Sequence, residues 1–383
     1  MHRPSADDLE RSSPPGEAGQ RPTPASRVLA ARVLAHYLPQ FHPIPENDAW
    51  WGPGFTEWTN VAKARPLFPG HYQPHLPADF GFYDLRVPET RIAQAEMARA
   101  HGIEGFLYWH YWFAGKRLLE RPFRDVLESG EPDYPLCLAW GNHDWTGIWG
   151  GEPERVLQRQ TYPGPADDEA HFYALLPAFQ DARYVRVDGR PLFFVLQPEA
   201  MPEPRRFTDL WRELALKEGL GDLHLVAYAW EHWRGDFDPR PLGYDAMTYG
   251  HHATLRRLSD RRSKRARRIR ELRRRPRHLY RYEEALPYLL FRGDFPWLEH
   301  PTVLSNWDTS PRMGMDAVIL HDSTPEHFRV HLRQALARVE HQPPEQRLLF
   351  LKSWNEWAEG NHVEPDQRYG RGYLQVLRDE LRR

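Results

Sequence analysis

Cysteine is almost missing from this chain. Cys137 stands alone among 383 residues, so no disulfide can form within it, and such usage points to a reducing, cytoplasmic setting. No apolar run approaches the ~18 residues that a membrane-spanning helix needs. The first residues lack the apolar core of a secretory signal. Signatures of a catalytic metal are also missing: despite 20 His, there is no His-Glu-X-X-His and no paired-Cys motif. Neither a metal nor another cofactor is expected. The chain has no glycine-rich phosphate loop of Rossmann or P-loop form. Asp236-Phe237-Asp238 has the Asp-X-Asp outline of a nucleotide-sugar metal site, but before Pro239 it reads as turn chemistry.

What is present is aromatic. Phe, Trp and Tyr make up 13% of the residues, 15 of them Trp, which suits either an unusually aromatic core or a cleft that packs on sugar rings. A formal net charge of -2 hides an uneven spread, since Arg256–Arg281 holds 14 of the 51 basic residues but only two of the 53 acids. This segment, about 254–281, reads as a solvated helical insertion. Contact with an anionic membrane or glycan is its alternative use. Aromatic residues are nearly absent among its charges until Tyr280 and Tyr282, so no nucleic-acid partner is expected. Residues 1–30 are rich in Pro, Ser, Gly and charge with little to bury, as in a disordered tail.

From residue 31 onward the pattern alternates. Short apolar runs read as strands at Arg32–Tyr37, Ile103–Trp109, Pro135–Trp140, Leu192–Leu196, Leu223–Ala229, Tyr244–Tyr249, Thr302–Ser305 and Leu348–Leu351. Helical patterns fall between most of them, at Val87–Ala100, Leu118–Leu127, Asp168–Phe179, Phe207–Leu216, Tyr282–Leu290 and Glu326–Glu340, with a closing helix at Gly372–Leu381. Continuously apolar strands are those of a parallel sheet buried on both faces. Eight of them alternating with helices predict an α/β fold, a single (β/α)₈ TIM-type barrel over 31–383 with long βα loops and the basic insertion between strands six and seven. Polar-aromatic clusters follow seven of the eight strands at their C-terminal ends, the face that carries the active site in this fold.

The sharpest cluster follows the last strand: Ser353-Trp354-Asn355-Glu356-Trp357-Ala358-Glu359-Gly360. Two carboxylates three residues apart share one face of a helical turn, at ~5–6 Å between Cβ atoms. That spacing fits a carboxyl pair acting on one glycosidic bond with retention, ~5–5.5 Å apart. The plain alternative is a solvated acidic pair at a helix start. Trp354 and Trp357 beside the pair offer a low dielectric able to keep one acid protonated.

This segment and the one after it, Val363-Glu364-Pro365-Asp366, resemble the C-terminal signature of WbsX-type proteins, a branch similar to glycoside hydrolase family 99, the endo-α-mannosidase family. Tyr37-Leu38-Pro39-Gln40-Phe41-His42, Phe55-Thr56-Glu57-Trp58-Thr59-Asn60-Val61 and Trp307-Asp308 with Pro311-Arg312 carry the resemblance further. The third-strand loop departs from it, with His143 and Asp144 where relatives place a Glu. The resemblance implies that Glu356 acts as base on a sugar 2-hydroxyl, through a 1,2-anhydro intermediate, and Glu359 as general acid/base on the glycosidic oxygen. The expected substrate contacts are Tyr37, His42, Glu57, Trp58, Tyr108, His110, Trp140, Asn142, Asp144, Trp307, Asp308, Trp354, Asn355 and Trp357. For any one of the loop residues Tyr37, His42 and Glu57, stapling of the loop is an equal reading. The expected partner is an oligo- or polysaccharide. Two other functions remain open: a WbsX-type glycosyltransferase of surface-polysaccharide (O-antigen) synthesis, and a glycan-binding barrel without chemistry.

Overall fold

A computed structural model describes residues 29–150, 152–229, 237–250, 254–255, 258, 275–276, 278–291 and 293–383. Almost all of the N-terminal tail and of the basic insertion, and Asp236 of the Asp-X-Asp, lie outside the described residues.

The central sheet contains β1 (Arg32–Tyr37), β2 (Gly105–Phe113), β3 (Leu136–Trp140), β4 (Arg190–Val195), β5 (His224–Ala229), β6 (Ala246–Tyr249), β7 (Thr302–Leu304) and β8 (Leu348–Lys352). Neighbours are parallel in the order β6-β5-β4-β3-β2-β1-β8-β7. The register sets Leu34 beside Gly105 and Phe350, and Trp140 beside His110 and Val195. The short strand Leu298–Glu299, just before β7, pairs with β6. The His300 N–H then donates to the Met247 carbonyl, and the Pro301 carbonyl accepts from the Phe350 N–H. The two ends of the sheet are therefore consecutive stretches of one segment, and the sheet curls round on itself in the manner of a TIM-type barrel.

Helices α1 (Pro88–Ala100), α2 (Arg121–Ser129), α3 (Pro165–Gln180), α4 (Pro204–Lys217), α5 (Tyr282–Leu289), α6 (Pro325–Val339) and α7 (Gly372–Leu381) separate most of these strands. Proline stands at the first or second position of α1, α2, α3, α4 and α6, where its missing N–H costs nothing and its fixed φ suits the helix. Gly130 in the left-handed region ends α2. The Thr324 side chain accepts the His327 N–H and caps α6. Among the described residues, no helix is long and apolar enough to cross a membrane.

The strands are buried on both faces and divide by parity. Inside the curl, His36 stacks on Trp109 at 4.9 Å and meets Phe194 and Phe350 edge-on or tilted. On the opposite parity, Tyr37 and Tyr108 meet at 4.5 Å, and Tyr108 packs on Phe123 of α2. Trp140 likewise packs on His171 of α3 and Phe207 of α4. Every second residue thus belongs to the inner core, and the others hold the helix layer.

Candidate active site

β8 ends in Lys352, and a tight reversal follows. Asn355–Glu356 pairs antiparallel with Asn361–His362, and a 3₁₀ turn, Trp357–Glu359, lies between. Residues three apart eclipse in such a turn, which brings Glu359 over Glu356. Gly360 closes the turn at φ 60°, and a Cβ there would sit 2.9 Å from that of Asp308, so glycine is required on two counts.

Glu356 and Glu359 line one cavity of about 510 Å³. Its walls include Trp109 and Tyr111 from β2, Trp145 and Trp149 after β3, and Trp307 after β7, with Asp144 and His143 at one side. The Trp109 indole N–H donates to Glu356 Oε1 at 2.6 Å, and the Asn361 amide donates to Oε2 at 3.3 Å. Lys352 Nζ lies 3.3 Å from the same Oε2. Its ammonium sits 5.4 Å from the centroids of both Trp109 and Trp307, so two indole faces and one carboxylate share the charge.

A second ion-pair chain backs Glu359. Arg312 bonds Glu359 and reaches Glu57 with one nitrogen at 2.8 and 2.9 Å. The Glu57 side chain is 0% exposed and also accepts the Ala358 N–H at 2.9 Å. Arg312 therefore divides its charge between two carboxylates while stacking over Trp149 at 4.6 Å.

Their neighbours give the two buried acids opposite proton affinities. Burial pushes Glu356 upward, but Lys352 and the indole donor outweigh it and hold the carboxyl below its ordinary range. Burial also pushes Glu359 up, and with the adjacent Glu356 charge it outweighs Arg312, leaving the group at about 7. A hydrogen bond between the two carboxyls works the same way, favouring the proton on Glu359. One ionised and one protonated carboxyl at neutral pH is the arrangement that general acid–base chemistry needs.

The structure sorts the expected contacts. Glu356, Glu359, Asp144 and Trp307 line the cavity. Tyr37, Tyr108, His110 and Trp140 do not, because they have the outer parity of their strands. Tyr37 donates to Gln94 of α1 at 2.6 Å, and His110 bonds His171 of α3 at 2.8 Å. Trp354 and Trp357 also face away from the cavity. Trp354 packs on Phe106, while Trp357 donates to Glu364 at 2.6 Å and stacks on His362. The low dielectric expected of these two comes from Trp109, Trp149 and Trp307. His42 bonds the Pro39 carbonyl, and the Trp58 indole donates to the Tyr83 carbonyl. Asn142 joins its loop to Gln197 and Tyr162, and Asn355 fastens the turn to Leu38. Asp308 accepts from His71 and Gln73 on the far side of the turn. Glu57 acts from behind, through Arg312. Sequence reasoning missed Trp109, Tyr111, Trp145, Trp149 and Lys352 as cavity residues. His36 in Arg32–Tyr37 and Lys352 in Leu348–Lys352 mark the inner parity of their own strands, but His110 in Gly105–Phe113 lies on the outer one, so no such signal singled out Trp109 and Tyr111.

Known proteins share this framework. A solved structure described as a glycoside hydrolase-like protein superposes with a TM-score of 0.57 at 16% identity, covering 94% of this chain and 97% of the other. The GH99 endo-α-mannosidase of Bacteroides thetaiotaomicron superposes at 0.54 and 12% identity, covering 92% and 97%. In sequence, two curated proteins named "Uncharacterized protein WxcX", from Xanthomonas campestris pv. campestris strains B100 and ATCC 33913, are each 38% identical over 96% of this chain. The chain spans about half of their length, 52%. Residues 33–377 match the family described as "Glycosyltransferase WbsX", and the chain belongs to that family, on a fold shared with the GH99 endo-α-mannosidase.

Proposed function

We propose that this protein breaks a glycosidic bond in an oligo- or polysaccharide with retention, Glu356 and Glu359 doing the chemistry. One observation carries the reading: two carboxyls of opposite proton affinity face a single aromatic-walled cavity. The ionised Glu356 takes the proton of the sugar 2-hydroxyl as that oxygen closes on the anomeric carbon. The protonated Glu359 gives its proton to the departing glycosidic oxygen. In the second half, Glu359 deprotonates the incoming hydroxyl as it opens the 1,2-anhydro ring, and Glu356 returns the proton to the 2-oxygen. The tryptophan faces supply apolar surface for sugar C–H groups and exclude water. The same reading takes the curled sheet as a closed eight-stranded barrel over 31–383, with the basic segment inserted after β6, in a reducing compartment.

The test is a screen of mannose-containing and bacterial surface glycans with the wild type and with Glu356→Gln and Glu359→Gln. Each substitution should lower turnover by about 10²–10⁴-fold while leaving glycan binding and the unfolding temperature in place. Wild-type turnover retained by either variant refutes the mechanism.

The family description favours a second reading, in which the donor is a nucleotide sugar, its diphosphate leaves, and the incoming hydroxyl belongs to an acceptor sugar instead of water. Thermal stabilisation by nucleotide sugars and not by oligosaccharides would select transfer, and products analysed with acceptor sugars present would separate the two reactions.

A further inference from the structure

Behind the turn that carries the two glutamates lies a second, smaller cavity of about 30 Å³, room for one small ion or water molecule. His75, from the loop after β1, and His362 and Asp366, from the loop after β8, are buried beside it. One ligand atom of each lies within 4.8 Å of the others. His75 Nδ1 is 2.9 Å from His362 Nε2, and His362 Nε2 is 4.0 Å from Asp366 Oδ2.

Chemistry at two of the three residues favours a cation. His362 Nδ1 contacts the Glu364 carbonyl at 3.1 Å, and a carbonyl only accepts, so that nitrogen holds the proton and Nε2 presents a lone pair. This is the tautomer, fixed by a backbone acceptor, that metal-binding histidines adopt. Asp366 Oδ1 takes the backbone N–H groups of Arg368 and Tyr369, which orients the carboxylate and leaves Oδ2 toward the histidines. Asn306 is an independent sign. It is 8% exposed and lines the same cavity, and its Oδ1 is buried with no hydrogen-bond partner among the described residues. Ligands ~2.1 Å from one ion lie roughly 3–4 Å apart, the range the two measured separations span.

The geometry points to a structural site for one divalent first-row cation, zinc by preference, held by His75, His362 and Asp366 with Asn306 or a water completing the shell. Two nitrogens and one carboxylate oxygen suit such an ion better than calcium or magnesium. The ion ties the loop after β1 to the loop that carries Glu356 and Glu359, since Asn361–His362 is the pairing partner of Asn355–Glu356. It takes no part in the chemistry. The rival is an ordinary N–H···N hydrogen bond between the two imidazoles.

The experiment uses the untagged chain, stripped with chelator and then dialysed against ZnCl₂. Metal content by mass spectrometry and the unfolding temperature are read for the wild type, His75→Phe and Asp366→Asn. Phe keeps the ring that stacks on Tyr72, and Asn keeps an oxygen for the two N–H groups. The wild type should retain one zinc per chain and melt higher with zinc than with chelator. Both variants should lose the equivalent and the zinc-dependent shift. If His75→Phe does not fold, Asp366→Asn decides alone. Less than half an equivalent in the wild type, or full retention in a folded variant, overturns the site.

Discussion

Lys352 ends an apolar strand, and its ammonium is enclosed by two indoles beside Glu356. Its role is to keep that carboxyl ionised against burial, so Lys352→Met should raise the Glu356 pKa. If Glu356 is the base proposed above, the acid limb of a pH–activity profile follows its protonation and then moves to higher pH. Under the proposed mechanism the alkaline limb belongs to Glu359 and should fall in the wild type near its value of about 7, because that mechanism uses its proton. An acid limb unmoved in Lys352→Met would show that the ammonium does not set the charge of Glu356. Arg312 has a different importance. Removing it in Arg312→Met leaves Glu57, 0% exposed at its side chain, without its countercharge, and breaking a buried pair in this way costs about 3–5 kcal/mol. Urea unfolding should show that loss; a cost below about 1 kcal/mol would mean the site relaxes and admits water.

Among the elements, the loop after β8 departs most from a simple helical reading. The expectation was a helical turn with both glutamates on one face. A single 3₁₀ turn inside a short hairpin does that work, held by Asn355 to Leu38 and by Ser353 Oγ to the Asn361 carbonyl at 2.6 Å. The helices followed their local signals closely, α6 among them: predicted over Glu326–Glu340 and found over Pro325–Val339. Its cap supports a modest prediction. Thr324→Ala leaves the His327 N–H without its side-chain acceptor and should lower stability by about 1 kcal/mol, read as a shift in urea midpoint with activity unchanged. An unchanged midpoint would mean that water replaces the hydroxyl.

At the scale of the molecule, buried neutral histidines control the response to acid. Burial lowers His36 and His224 to about 3, and His143 and His331 to about 4, against ~6.5 in an unfolded chain. Below pH 6.5 the unfolded chain takes up protons that the folded one refuses, so stability falls with pH until each folded value is reached. Glu359 and Glu364, both raised to about 7 by burial, act in the opposite sense between about 4.5 and 7 but are fewer. The unfolding free energy should therefore rise from pH 4 to pH 6.5, each histidine contributing about 1.4 kcal/mol per pH unit within its window. A flat or falling curve over that range would show that these imidazoles are hydrated. The alternation of strands and helices and the acidic pair after the last strand were determined by the sequence alone, because propensity, local periodicity and short spacing act within a dozen residues. Which of two neighbouring aromatics faces the cavity was decided only in the tertiary structure. Strands buried on both faces carry no hydrophobic alternation, so Tyr108 and Trp109 look equivalent until the sheet curls and gives one side to the helices and the other to the site. The splitting of proton affinity between Glu356 and Glu359 has the same origin, since Lys352, Trp109, Arg312 and Glu57 come from four separate segments and act on the pair only once folding has buried them together.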